Sequence, residues 1–99
     1  MITEIAQIEI RPGEAKAFEA AVAQARPAFA QAKGFGGLRL MRSIEHPERY
    51  RLMVLWETLE DHTVGFRQSA HFATWRGLAG PFFAVPPVVE HVAECDLDG

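Results

Sequence analysis

The run from Tyr50 to Trp56 constrains the fold of this chain more than any other segment. Leu52, Met53, Val54, Leu55 and Trp56 are apolar in succession, whereas a strand of an antiparallel sheet with one wet face alternates apolar and polar side chains. The pattern therefore predicts a strand covered on both faces. The remaining chain holds enough helical sequence to cover one face of a small sheet, so the other face calls for a second copy, and a homodimer packing sheet against sheet is the expectation.

The elements around this strand follow from periodicity. Ile2 to Ile10 reads as a half-buried strand, with Ile2, Ala6, Ile8 and Ile10 on one parity, Thr3, Gln7 and Glu9 on the other, and Ile5 as the exception. It stops at Arg11-Pro12-Gly13. From Glu14 to about Ala32, Phe18, Val22, Ala25, Phe29 and Ala32 recur at helical steps. Pro27 falls inside that helix and predicts a kink or a break, because it lacks a backbone donor and its ring collides one turn back. Phe35 to Ile44 is a second strand, with Leu38, Leu40 and Ile44 on one parity and a bulge or close approach expected at Gly36-Gly37. The polar turn His46-Pro47-Glu48-Arg49 then makes it a hairpin with the Tyr50 strand, His46 being a solvated turn residue.

After Trp56, Thr58 and Asp61 have capping-box spacing and start a helix in which Leu59, His62 and Phe66 share the stripe facing the sheet. Ser69 is expected to cap a second helix through about Leu78, which Gly80-Pro81 ends. Val88 to about Cys95 reads as a fourth strand, and Asp96 to Gly99 as a frayed tail. The order β, α, β, β, α in two pieces, β predicts an α+β fold, the ferredoxin-like split βαβ arrangement, with helices on one face of a four-stranded antiparallel sheet and one domain over residues 1–99.

Composition removes several function classes. A net charge of −3 with basic residues scattered along the chain gives no electrostatic footprint for nucleic acid. A single cysteine, Cys95, fits a reducing compartment, and no leader pattern or membrane-length apolar run is present, so no membrane association and a cytoplasmic location are expected. The four histidines show no HxxxH or HxH pairing, and no metal site is predicted.

Chemistry is concentrated between Trp56 and Phe83, which hold both tryptophans, two of the four histidines and four of the seven phenylalanines. The segments EIAQIEIRPGEAKAFEAAV, LRLMRSIEHPERYRLMVLWET, EDHTVGFRQSAHFATWR and PPVVEHV together resemble the antibiotic biosynthesis monooxygenase domain of the dimeric α+β barrel superfamily, over nearly the whole chain. The resemblance implies a homodimer whose two sheets form a barrel. It also implies oxygenation, either of a polycyclic phenol to a quinone without a cofactor or of heme. The heme-degrading branch uses an Asn on the first strand, a Trp on the helix after the third strand and a His on the next helix. Those positions fall on Gln7, Gly65 and Trp75, so heme degradation by that route is disfavoured.

A cofactor-free oxygenase needs a base to generate a phenolate, a pocket for an aromatic plane, and exclusion of bulk water. His62 is the candidate catalytic base, on the inward stripe with Phe66 one turn on; the alternative is a core-edge histidine bonded to a strand carbonyl. Trp56, Phe66, Phe72 and Trp75 are candidate substrate walls, although aromatics at helical spacing, Phe82 and Phe83 included, more often fill a core. His71 and Arg67 are secondary candidates, and His91 reads as a dimer-interface residue on the last strand. The resulting expectation is a cofactor-independent monooxygenase for a small aromatic or polycyclic phenol. A noncatalytic ligand-binding or regulatory dimer and a heme-binding protein are the alternatives.

Overall fold

Alternation along the first strand sets the architecture. In the computed structural model, which describes residues 1–99, β1 (Ile2–Glu9) turns Glu4, Ala6 and Ile8 to one face, where all are buried. That face is the floor on which the helices rest. β2 (Phe35–Arg42), β3 (Arg49–Trp56) and β4 (Val88–Val92) complete an antiparallel sheet in the order β2-β3-β1-β4. The chain therefore has the ferredoxin-like fold, a four-stranded sheet with helices on one face.

Helix α1 (Ala15–Ala30) buries Phe18, Val22, Ala25 and Phe29 on that floor, where Phe18 tilts against Tyr50 with ring centroids 4.8 Å apart. Phe18, Val22 and Phe29, fully removed from water, each contribute about 1.5–3 kcal/mol. Contrary to the expected break, α1 runs through Pro27, and the next turn closes with Gln31 N–H donating to Pro27 O at 3.1 Å. The ring is on the solvent face, where the lost bond exposes a carbonyl to water rather than to the core. After the helix, Gly34 adopts φ +82°, and a Cβ there would collide with the Asp61 carboxylate, so glycine is required twice over.

The hairpin carries its bulge at Gly36, between the pairs Phe35↔Trp56 and Gly37↔Leu55. Ile44 falls beyond the end of β2 and is exposed, so it is a turn residue and not a core position. Within the chain, β3 is covered on one face, the other being the one expected to need a second copy: Tyr50, Leu52, Val54 and Trp56 are buried, while Met53 is half-buried and Leu55 is 39% exposed on the open face. Apolar composition on both parities does not distinguish a face packed within one chain from a face left for another.

Thr58 and Asp61 form the reciprocal capping pair that their spacing predicts, Asp61 N–H donating to Thr58 Oγ1 at 3.1 Å and Thr58 N–H to Asp61 Oδ2 at 3.2 Å. The helical segment they start continues as a π-helical turn over Asp61–Phe66, with Arg67 N–H reaching back to His62 O. Helix α2 (Ala70–Ala79) follows, then a short 3-10 turn over Gly80–Phe82. Ser69 precedes α2 as expected but does not cap it; its hydroxyl donates to Phe66 O at 2.7 Å, tying α2 to the π turn. β4 ends at Val92, and the chain from Ala93 onward is irregular. No helix is long and apolar enough to cross a membrane.

Candidate active site

The helices do not close completely on the floor. Between α2 and the β1–β4 side of the sheet lies a cavity of about 430 Å³, whose apolar walls include Phe66, Phe72, Trp75, Phe83 and Val89. Its polar lining is Glu4, His62, Arg67 and Arg76. The volume falls in the range of small-molecule sites, and few polar groups set in an apolar wall is their usual composition.

Glu4 and His62 are brought together by the sheet register. Glu4 pairs across the ladder with Val54 on β3 and with His91 on β4, so its side chain stands between those strands on the helix-facing side. His62 comes down from the π turn onto the same spot, stacked on the Trp56 ring at 5.5 Å between centroids. Trp56 Nε1–H donates to Glu4 Oε1 at 3.0 Å, His62 Nε2 lies 3.3 Å from the same oxygen, and His62 Nδ1 lies 2.8 Å from His91 Nε2. Glu4 is 5% exposed and His62 2%. The result is a contiguous polar chain in which Glu4 is bonded to Trp56, His62 is bonded to His91, and His62 Nε2 faces Glu4 across 3.3 Å.

Burial disfavours charge on all three. Desolvation pushes the Glu4 carboxyl above its usual range against the opposing pull of the Trp56 hydrogen bond and the Arg67 charge. Desolvation, then Arg67 and His91, lower His62 to about 4, and desolvation with Arg67 lowers His91. Near neutral pH His62 is therefore a neutral hydrogen-bond partner, and its 3.3 Å contact with Glu4 is not an imidazolium–carboxylate ion pair. With Glu4 ionised, the tautomer that points Nε2–H toward Glu4 leaves Nδ1 to accept from His91 Nε2–H. Because Glu4 and His91 engage opposite nitrogens of one ring, the three cannot converge on a common metal ion, and no cluster of three or more His, Cys, Asp and Glu side chains has such an arrangement.

Of the sequence candidates, His62, Phe66, Arg67, Phe72 and Trp75 line this cavity. Trp56 does not; fully buried behind His62, it holds the polar floor from beneath. His71 belongs to a separate, smaller recess with Lys33 and Asp61, because the offset between the π turn and α2 points it away from the sheet. His91 faces the helices and not the open face, since it pairs with Glu4 on the inward parity. Phe82 packs on Phe18 in the core, whereas Phe83 joins the cavity wall. The residue that sequence reasoning missed is Glu4, and its signal was present: a carboxylate on the apolar parity of the first strand, between Ile2 and Ala6.

The model of the antibiotic biosynthesis monooxygenase domain matches residues 1–78. The chain belongs to the antibiotic biosynthesis monooxygenase family. A crystal structure from Bordetella bronchiseptica, of a candidate member of this family, is 54% identical over 95% of this chain and 96% of its own, with a TM-score of 0.94. The uncharacterised protein YczJ of Bacillus subtilis is 41% identical over 92% of this chain and 96% of its own. A candidate family member from Nitrosomonas europaea shares the fold at 20% identity and a TM-score of 0.79, over 95% of this chain and 98% of that one.

Proposed function

We propose that the protein is a cofactor-independent monooxygenase that oxidises a small aromatic or polycyclic phenol in the cavity beneath α2. The observation that carries this reading is the composition of the cavity, aromatic walls closing over a buried carboxyl–imidazole pair. Phe66, Phe72, Trp75 and Phe83 offer surfaces to an aromatic plane. The polar pair offers a proton acceptor where bulk water is restricted. A deprotonated, electron-rich phenol reacts with dioxygen itself, so the protein's task is to bind, deprotonate and shield. Membership of the family supports the class of reaction. His62 has both ring nitrogens engaged, which gives no support to its acting as an axial heme ligand.

The same reading includes a homodimer, with the open sheet face of one copy against that of another. Leu55, Val88 and Val92 stand exposed on that face, a set of apolar side chains that a second sheet would remove from water. The direct test of the activity is oxygen consumption with anthrone as substrate, with quinone product identified by absorbance and mass. Uptake that saturates with anthrone and scales with enzyme supports the proposal. Absence of uptake across a panel of anthrones, naphthols and hydroquinones refutes it.

A further inference from the structure

His62 is 2% exposed, its Nδ1 is bonded to His91 and its Nε2 points at Glu4 across 3.3 Å, so that ring has no free atom to present to a ligand. Glu4 differs. Its Oε1 takes the Trp56 N–H and the His62 contact, whereas its Oε2 has no hydrogen-bond partner in the chain and is not sealed from the cavity that Glu4 lines. A nearly buried carboxylate, pinned through one oxygen and open through the other into an aromatic-walled cavity, is arranged to receive a proton there. The contacts beyond it form a path: Glu4 to His62 Nε2, His62 Nδ1 to His91 Nε2, and His91 is only half-buried on the short edge strand β4.

We infer that Glu4, through Oε2, is the group that accepts the substrate's proton, and that His62, braced by His91, positions it. The inference rests on the monooxygenase reading for its substrate class. In the reaction, Oε2 takes a proton from the phenol or from the acidic C–H of its keto tautomer, and the electron pair stays on the ring. The resulting carbanion-like carbon reduces dioxygen and bonds to it, and the peroxide so formed takes up a proton. Loss of the remaining C–H proton and cleavage of the O–O bond then leave a carbonyl, while hydroxide departs and is protonated to water. For anthrone the balance is one substrate and one dioxygen to one anthraquinone and one water. The carbon is oxidised by four electrons, and dioxygen supplies the acceptor.

Proton removal can be read without oxygenation. Under argon in D₂O, the wild-type protein is expected to accelerate loss of the anthrone C10 proton signal in NMR. Glu4→Gln should lower the protein-dependent rate by about 100-fold or more, the contribution of a general base, while binding 2-naphthol like wild type by tryptophan fluorescence. Glu4→Asp, which withdraws the carboxylate by one methylene, should keep a reduced rate, and serves if the glutamine variant does not fold. His62→Phe, which removes the donor from Oε1, should move the acidic limb of the rate–pH profile upward; a merely structural role would lower the plateau without moving the limb. Exchange undiminished in both Glu4 variants overturns the assignment and leaves the oxygenase reading standing. Glu4-dependent exchange without oxygen uptake in air supports the assignment and sinks the oxygenase reading. No acceleration by wild type overturns the assignment.

Discussion

Replacing His62 with Gln tests the proton inventory of the site through stability alone. Burial and the neighbouring Arg67 and His91 hold the folded-state pKa of His62 at about 4, against 6.5 for a free imidazole. Below the free value the unfolded chain binds a proton that the folded chain refuses, so acidification from 6.5 towards 4 removes stability. Worked at about pH 4.5, with each pKa unit equivalent to about 1.4 kcal/mol, the loss relative to neutral pH is about 2–3 kcal/mol. Glu4 acts in the opposite sense, since its raised pKa gives stability that is present at low pH and fades as pH rises through its folded value. His91 acts in the same sense as His62. Both remain in His62→Gln, whose amide can still donate to Glu4, so the difference between the two proteins isolates the imidazole. Urea denaturation of each at about pH 7.5 and about pH 4.5 should show wild type losing about 2–3 kcal/mol more than the variant. Packing lost in the variant shifts both of its values equally and cancels. Parallel stability–pH curves would refute a neutral, buried His62.

Phe29→Ala should cost about 3–5 kcal/mol in urea denaturation, because Phe29 is buried between Phe66 and Trp75 at centroid distances of 4.8 and 5.2 Å. Gly34→Ala should destabilise by more than about 1 kcal/mol from its left-handed backbone alone, and a melting temperature unchanged from wild type would contradict the contact with Asp61. His71→Ala should leave 2-naphthol affinity and any oxygen uptake unchanged, as His71 lines a different recess; a tenfold change in either would place it functionally with the cavity. Light scattering at micromolar concentration should give a dimer for wild type and a monomer for Leu55→Glu, which sets a charge on the open sheet face; a wild-type monomer would end the dimer reading.

The order of elements and the inward stripes were legible because each rests on local periodicity. Phe18, Val22 and Phe29 mark one side of α1, and His62 and Phe66 mark the buried side of the π turn, whether the turn closes at four residues or five. What could not be read was which of two apolar parities faces inward. On β3 both are apolar, and on β4 Val88 and Val92 look no more exposed than Val89, so from sequence His91 reads as an interface residue although it faces the helices. Pairing with β1 decides it. Glu4 was hidden differently, as a single charge in an apolar series, and its significance arises only when the register puts Val54 and His91 beside it and Trp56 below. Pro27 shows the limit of a local rule, since the helix keeps its course where the missing bond faces water.

The π turn between Asp61 and Phe66 makes the site a matter of angular phase as well as residue identity. An α-helix advances about 100° per residue, and a turn closed by i→i+5 bonds holds an additional residue. The segment leading into α2 thus carries one residue more than an ideal helix would for the same number of turns. Deleting Gly65, on the exposed side of this turn, would let ordinary helix form without removing any side chain of the cavity. It would also keep the number of turns, so His62 would hold its phase against Phe66 and Trp75 and stay beside Glu4. The turn thus takes up one residue of length while preserving the angular phase that joins the polar floor to its aromatic walls.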